Sequence, residues 1–117
     1  MSERCLGDAA QLLERGLALK FTVTDHKGVE HQAIALRFEG RVYAYLNECA
    51  HVPIELDFNP GDVFDLSREY LVCSTHGAYY LPHTGLCVGG PCPGRRLHGL
   101  PVEERDGQLW LKEGLYQ

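Results

Sequence analysis

Apolar and polar positions alternate along the first half of the chain with the period of two that half-buried β-strands show. The alternation covers residues 17–24, resumes over residues 34–38 and returns over residues 42–46. Short polar segments at 25–28 and 39–40, each ending in glycine, separate these runs. The pattern predicts antiparallel strands joined by tight turns.

Two further elements are predicted near the ends of the chain. Residues 8–16 begin with an acidic cap candidate, Asp8, and end at Gly16, which predicts a short helical turn. Residues 100–104 and 108–111 flank the dipeptide Asp106-Gly107, which is typical of a closing hairpin.

The segment between Leu46 and Gly94 differs from both ends. It contains five of the six prolines and four of the five cysteines, with short apolar runs at 70–72 and 78–81. Loops of this kind commonly carry functional residues. The whole pattern predicts an all-β protein, with a frame of antiparallel strands from both ends of the chain and a loop-rich insert between them.

Composition narrows the class of protein. A chain of 117 residues has room for a single domain with its own core, and a mean hydropathy of -0.22 is that of a water-soluble protein. The net charge of -5 disfavours nucleic acid and anionic membranes as partners, because both attract basic surfaces. Charged residues interrupt positions 1–13, so no signal peptide is predicted, and we expect a cytoplasmic protein with reduced thiols.

Two mixed Cys/His motifs stand in the loop-rich insert. They are Cys49-Ala50-His51 and Cys73-Ser74-Thr75-His76, and 21 residues separate them. Each motif offers one thiolate and one imidazole, a donor set that suits zinc or an iron–sulfur cluster. Structural zinc sites commonly pair Cys with Cys and His with His within a motif, so the mixed motifs favour iron–sulfur without excluding zinc.

The spacing C-x-H followed after about this interval by C-x-x-H resembles the Rieske [2Fe–2S] family, in which two His replace two Cys on one iron. The resemblance implies that Cys49 and Cys73 bind one iron and that His51 and His76 bind the other. It also implies a Rieske-type β-sandwich or partial barrel spanning residues 1–117, with a cluster-binding subdomain at about 47–94. Further matches to the family pattern follow the second motif: Gly77, the turn Thr84-Gly85, the proline-rich segment 89–93 and the strand at 100–102.

Departures from the high-potential branch of the family are informative. Ile54 and Thr75 stand where that branch has two further cysteines, so we expect no disulfide between the ligand loops. Ala78 replaces a serine that donates a hydrogen bond to cluster sulfur, whereas Tyr80 keeps the matching tyrosine. Hydrogen bonds to sulfur favour the reduced cluster, so we expect a midpoint low in the range of about −150 to +300 mV.

The remaining candidate residues carry weaker expectations. Cys87 and Cys92 flank residues 88–91, but a reducing cytosol and the odd number of cysteines disfavour a bridge between them, and we expect Cys92 to pack as a small apolar side chain. Cys5 is expected in a mobile terminus. The roles of His83 and His98 stay open.

The resemblance implies a one-electron carrier that passes electrons from a reductase to an oxygenase or another redox enzyme. Only 41 residues follow His76, too few for an oxygenase catalytic domain. We expect a redox protein partner with a basic docking face, at which His51 and His76 would form the exposed tip, and a monomer or weak oligomer. Two alternatives stay open: a small Rieske subunit of a larger oxidoreductase such as a nitrite reductase, and a zinc-stabilised Cys2His2 interaction module.

Overall fold

The computed structural model describes residues 3–24, 27–47, 62–73, 77–90 and 94–112. Within these residues the chain forms ten short β-strands and one turn of 3₁₀ helix, Ala9–Gln11. The strands are β1 Glu3–Asp8, β2 Leu19–Thr24, β3 Glu30–Phe38, β4 Arg41–Leu46, β5 Leu71–Cys73, β6 Ala78–Tyr80, β7 Cys87–Gly89, β8 Gly99–Leu100, β9 Val102–Arg105 and β10 Gln108–Lys112.

The strands form three antiparallel sheets. The first sheet has the order β1-β10-β9, the second β2-β3-β4-β8, and the third β5-β6-β7. Strands from both ends of the chain build the first two sheets, and the third belongs to the insert between β4 and β8. This arrangement confirms the predicted all-β frame of antiparallel strands from both ends of the chain, with an insert between them.

The second sheet is the middle layer, because β3 is buried on both faces. Ala33 and Ala35 pack with Leu109 of the first sheet, whereas Ile34 and Leu36 pack in the cluster that contains the inner residues of the third sheet. The sequence pattern indicated one buried face for this strand. The small alanines on the other face hid the second packing surface, because alanine is only weakly apolar in such a pattern.

Two hairpin turns follow the sequence prediction closely. Glu39 and Gly40 have φ angles of 52° and 78°, and Asp106 and Gly107 have φ angles of 54° and 74°. Positive φ at both central residues is the geometry of a type I′ turn, whose twist matches the flanking strands. These turns join β3 to β4 and β9 to β10.

The N-terminal segment differs from its prediction in one respect and agrees in another. Cys5 lies in β1, opposite Trp110 of β10, so its expected place in a mobile terminus was wrong. Polar residues alternate with apolar ones there too weakly to mark a strand. The predicted helical turn is confirmed as the 3₁₀ helix, and the Asp8 carboxylate accepts a hydrogen bond from Ala10 N–H at 2.9 Å.

Short bridges extend the third sheet at both edges. On the β5 side, Phe64 pairs with Leu71, and on the β7 side Arg96 pairs with Leu86. The third sheet is therefore flanked by residues 62–65 on one edge and residues 94–97 on the other. Among the described residues, no helix is long and apolar enough to cross a lipid bilayer.

Candidate metal centre

One predicted ligand, Cys73, lies in the described part of the chain. It is the last residue of β5 and is fully buried. Cys49, His51 and His76 lie outside the described residues, so the ligand set stays a prediction. Within the described ranges alone, no group of three or more His, Cys, Asp and Glu side chains is placed to hold a metal ion.

The main chain fixes both sides of the second Cys/His motif. The carbonyl oxygen of Cys73 accepts a hydrogen bond from the N–H of Gly77 at 2.8 Å. Gly77 has a φ of 68°, in the left-handed region that glycine adopts without steric cost. The residue that follows His76 is thus tied directly to the residue that begins the motif.

Cys73 belongs to the inner face of the third sheet, which we define by Leu71, Cys73, Ala78, Tyr80 and Cys87. The register pairs Cys73 with Ala78, Leu71 with Tyr80, and Tyr80 with Cys87. All five side chains are buried in one apolar cluster. Tyr80 therefore lies on the same face as Cys73 and diagonally across from it, a separation that a long aromatic side chain can bridge.

The segment that carries the first motif begins and ends on different sheets. It leaves the second sheet at Asn47, whose N–H donates to the carbonyl of Gln32 at 2.8 Å. It returns at Val63, whose carbonyl accepts from the N–H of Val72 at 2.8 Å, next to Cys73. The chain after the first motif is thereby brought back beside the second.

Gly90, at the start of the proline-rich segment, lies against the two residues that follow the second motif. A Cβ atom on Gly90 would lie 2.7 Å from both the Cα of Ala78 and the carbonyl oxygen of Gly77. Only glycine permits so close an approach of two backbones. On the far side of the proline-rich segment, the carbonyl of Arg95 accepts from the N–H of Cys87 at 2.7 Å.

Tyr45 connects the second sheet to the loop between β6 and β7. Its hydroxyl donates to the carbonyl oxygen of Pro82 at 2.7 Å, and a Cβ on Gly85 would lie 2.8 Å from its ring. Burial raises the pKa of Tyr45 well above its usual range, and the nearby Tyr43 adds to the shift. The hydroxyl is therefore a neutral donor. Strand alternation marks Tyr45 as a sheet residue but gives no sign of this long-range bond.

The residues left open by sequence have structural positions. Cys87 is buried, and its Sγ lies 3.2 Å from the carbonyl oxygen of Gly89. His83 is exposed and stacks on Phe38 of the second sheet, with ring centroids 6.2 Å apart. The carbonyl of His98 accepts from Leu46 N–H at 2.9 Å.

These surroundings suit a thiolate ligand at Cys73. The side chain is shielded from water, its backbone is fixed by β5 and by the Gly77 hydrogen bond, and its neighbours on the inner face are apolar apart from the Tyr80 hydroxyl. Dry surroundings and a nearby hydroxyl are features by which proteins tune iron–sulfur clusters.

A family model decides the class of protein. The Rieske [2Fe–2S] domain model matches residues 4–105. The chain belongs to the Rieske [2Fe–2S] domain family. The family confirms the predicted [2Fe–2S] cofactor and favours it over zinc. No curated protein matches the chain.

Solved structures from carbazole 1,9a-dioxygenase share the fold. The ferredoxin of carbazole 1,9a-dioxygenase from Nocardioides aromaticivorans IC177 matches with a TM-score of 0.71 and 21% identity, over 95% of this chain and 97% of that chain. A chain of the reduced complex between oxygenase and ferredoxin in carbazole 1,9a-dioxygenase matches with a TM-score of 0.74 and 18% identity, over 93% of this chain. The present Rieske chain spans 27% of the length of the latter.

Proposed function

We propose that this Rieske domain is a one-electron carrier in which Cys49, His51, Cys73 and His76 hold the [2Fe–2S] cluster. When bound, such a cluster stores and releases one electron. Residues 1–117 would form one domain, with the cluster-binding part at about 47–94. Membership of the Rieske family is the observation that carries the proposal.

The chain's own residues supply the surroundings of the cluster. The inner face of the third sheet keeps water from Cys73, and the backbone of Gly90 lies against that of Gly77 and Ala78, which follow the second motif. Tyr45 ties the β6–β7 loop to the second sheet through its bond to Pro82. A rigid, dry setting of this kind limits reorganisation when the charge of a site changes.

A redox protein is the proposed partner, in the order reductase, this carrier, oxygenase. The ferredoxin that matches this chain over nearly all of both lengths belongs to a dioxygenase, which supports that order. The net charge of -5 suits a partner with a basic docking face. A location in the cytoplasm, where thiols stay reduced, completes the proposal.

The ligand set is tested with two buried cysteines that differ in their assigned role. Cys73→Ser is expected to abolish the visible absorption and the reduced EPR signal of the purified protein. Cys87→Ser, the matched control, removes a sulfur from the same inner face and is expected to retain both. Equal loss in the two variants, or stoichiometric zinc in a colourless wild-type protein, would contradict the proposed site.

The carrier role is tested by isolation from the native source. A freely diffusing carrier purifies alone, takes up one electron per chain in an anaerobic reductive titration, and supports oxygenase turnover when a flavoprotein reductase is added. Purification in fixed stoichiometry with a single enzyme would instead identify the chain as a dedicated subunit, such as that of a nitrite reductase.

A further inference from the structure

The third sheet presents an apolar outer face to solvent. Tyr70, Tyr79 and Val88 remain 37%, 40% and 48% exposed, respectively. The rings of Tyr70 and Tyr79 meet edge to face with centroids 6.1 Å apart. Together with Asp65 and Gly89 these side chains line an open hollow of about 330 Å³. We call this surface, made of Tyr70, Tyr79 and Val88, the outer apolar face.

Exposure of this face follows from strand register rather than from loop disorder. Tyr79 pairs with Val72 of β5 on one side and with Gly89 of β7 on the other, so the outer side of the sheet is continuous across all three strands. Successive side chains of a strand point to opposite faces, and the inner partners Cys73 and Tyr80 are fully buried. A contiguous exposed apolar surface of this kind commonly marks an interaction site.

Charges of opposite sign border the outer apolar face. Within residues 62–70, the edge next to β5 carries Asp62, Asp65 and Glu69 against one base, Arg68, which pairs with Asp62 at 3.8 Å. A second base, Arg15, reaches this edge from another segment. The Glu69 side chain is 60% exposed and lies 3.3 Å from Arg15. Surface ion pairs of this kind contribute little free energy, so Glu69 can pair with a different base in a complex.

The opposite edge is basic. Arg96 is exposed and pairs with Leu86, whose side chain shares the outer side of the sheet with Val88. No Asp or Glu occurs between residues 70 and 102, so this edge carries no acidic side chain of its own segment. Strands lie about 4.8 Å apart, which places the acidic and basic edges about 19 Å from each other across four strand intervals.

We propose that the outer apolar face binds a second copy of this chain. In this dimer the two third sheets face each other, and the two-fold axis lies between them, parallel to the strands. Rotation by 180° about this axis reverses the order of the edges. The acidic edge of each copy therefore faces the basic edge of the other. The same axis brings Tyr79 opposite its symmetry mate. An interface that is apolar at the centre and complementary in charge at its rim is the self-complementary pattern that a two-fold dimer requires.

The dimer is tested by sedimentation velocity of the holoprotein over a range of concentrations. The wild-type protein is expected to show a weight-average sedimentation coefficient that rises with concentration, with a dissociation constant in the micromolar range. Arg96→Glu and Glu69→Lys each place like charges across the axis and are expected to weaken dimerisation at least about tenfold. Arg41→Glu and Glu30→Lys make the same charge changes on the second sheet and are expected to leave it unchanged.

Mixing the two weakened variants gives the decisive result. In a heterodimer of Arg96→Glu with Glu69→Lys, both edges regain opposite charges, so the equimolar mixture is expected to recover wild-type affinity. A chain carrying both substitutions is expected to recover it as well, which also shows that neither change unfolds the protein. A wild-type monomer at every concentration, or a mixture no stronger than its components, would overturn the proposal.

Discussion

At the scale of single residues, Tyr80 is the described hydroxyl side chain that shares the inner face with Cys73 and is expected to adjust the proposed cluster. It is fully buried on the inner face, diagonal to Cys73, and the Ala78 that pairs with Cys73 has no hydroxyl. A hydrogen bond to sulfur stabilises the added negative charge of reduction. Tyr80→Phe is therefore expected to lower the midpoint potential by about 20–65 mV, which is a hydrogen bond of about 0.5–1.5 kcal/mol at 59 mV per factor of ten.

Tyr79→Phe is the matched control for this measurement. It removes the same hydroxyl from the next residue of β6, but Tyr79 lies on the outer apolar face, 40% exposed. Protein-film voltammetry should show no shift for this control. Equal shifts in midpoint potential for the two variants would mean that the shift comes from a general change in β6 and not from a hydrogen bond of the Tyr80 hydroxyl.

At the scale of elements, two glycines with the same backbone conformation distinguish two effects of an added Cβ. One is the strain of a left-handed backbone, and the other is a clash with a neighbouring backbone. Gly90 lies at the start of the proline-rich segment and Gly94 follows its end, with φ angles of 88° and 83°. A Cβ on Gly90 would meet the backbone of Ala78 at 2.7 Å, whereas nothing lies within 4 Å of a Cβ on Gly94. Gly94→Ala is expected to cost about 1–2 kcal/mol of left-handed strain and to keep the cluster.

Gly90→Ala carries the same strain, and its Cβ must also push the backbone at Gly90 away from that of Gly77 and Ala78. We expect a lower melting temperature than for Gly94→Ala and a lower iron content per chain after purification. Equal iron content in the two variants would show that the contact between Gly90 and Ala78 does not help to retain the cluster.

Arg37 links three elements and gives the fold a defined dependence on pH. Its guanidinium donates to the carbonyls of Leu12 at 2.8 Å and Ala9 at 3.1 Å, and forms a two-pronged pair with the Glu104 carboxylate at 2.9 and 3.2 Å. The hydrogen bond from Arg37 is the main reason that the pKa of Glu104 lies below its usual value.

The pKa of Glu104 is lower in the folded state than in the unfolded state. The Glu104 carboxylate therefore adds to the free energy of unfolding above the unfolded-state pKa, and this contribution is lost as pH falls through the folded-state pKa. Glu104→Gln is expected to cost about 0.5–1 kcal/mol at pH 7, the scale of a partly exposed pair. Melting followed by circular dichroism should show this difference shrinking below about pH 4. A difference that stayed constant into acid would contradict the pair's role.

The elements that sequence predicts best are those whose signal is local. The pairs Glu39-Gly40 and Asp106-Gly107 define turns by backbone conformation alone, so both hairpins were predictable. Strand β1 was not, because its burial depends on pairing with β10, about a hundred residues away. The second buried face of β3 was missed for the same reason, since Ala33 and Ala35 become core residues only when the first sheet covers them.

The candidate site shows a similar division. The local patterns were predictable from the sequence: the Cys/His spacing, Gly77 and the turn at Gly85. The bond from Tyr45 to Pro82 and the contact of Gly90 with Ala78 join residues that only the fold brings together. Of the four predicted ligands, the described residues place Cys73 alone, in a setting that suits its proposed role.

At the scale of the whole molecule, the negative charge is concentrated around the first Cys/His motif. Residues 42–67 contain Glu48, Glu55, Asp57, Asp62 and Asp65 without a single Lys or Arg, which accounts for the entire net charge of -5. The rest of the chain has eleven charges of each sign. We therefore expect a partner that approaches the proposed cluster to meet a local negative field, which attracts basic surfaces and decays over about 10 Å at 0.1 M salt.

Small inorganic oxidants measure this field without a protein partner. Oxidation of the reduced protein by a cationic cobalt complex is expected to slow as salt is added, and oxidation by ferricyanide to accelerate, because screening removes attraction in the first case and repulsion in the second. Asp62→Asn should lower the rate with the cationic oxidant at low salt more than Asp106→Asn does. Both variants remove one negative charge, but Asp106 lies in the β9–β10 turn of the first sheet. Equal effects would show that net charge, rather than the acidic segment, steers the approach.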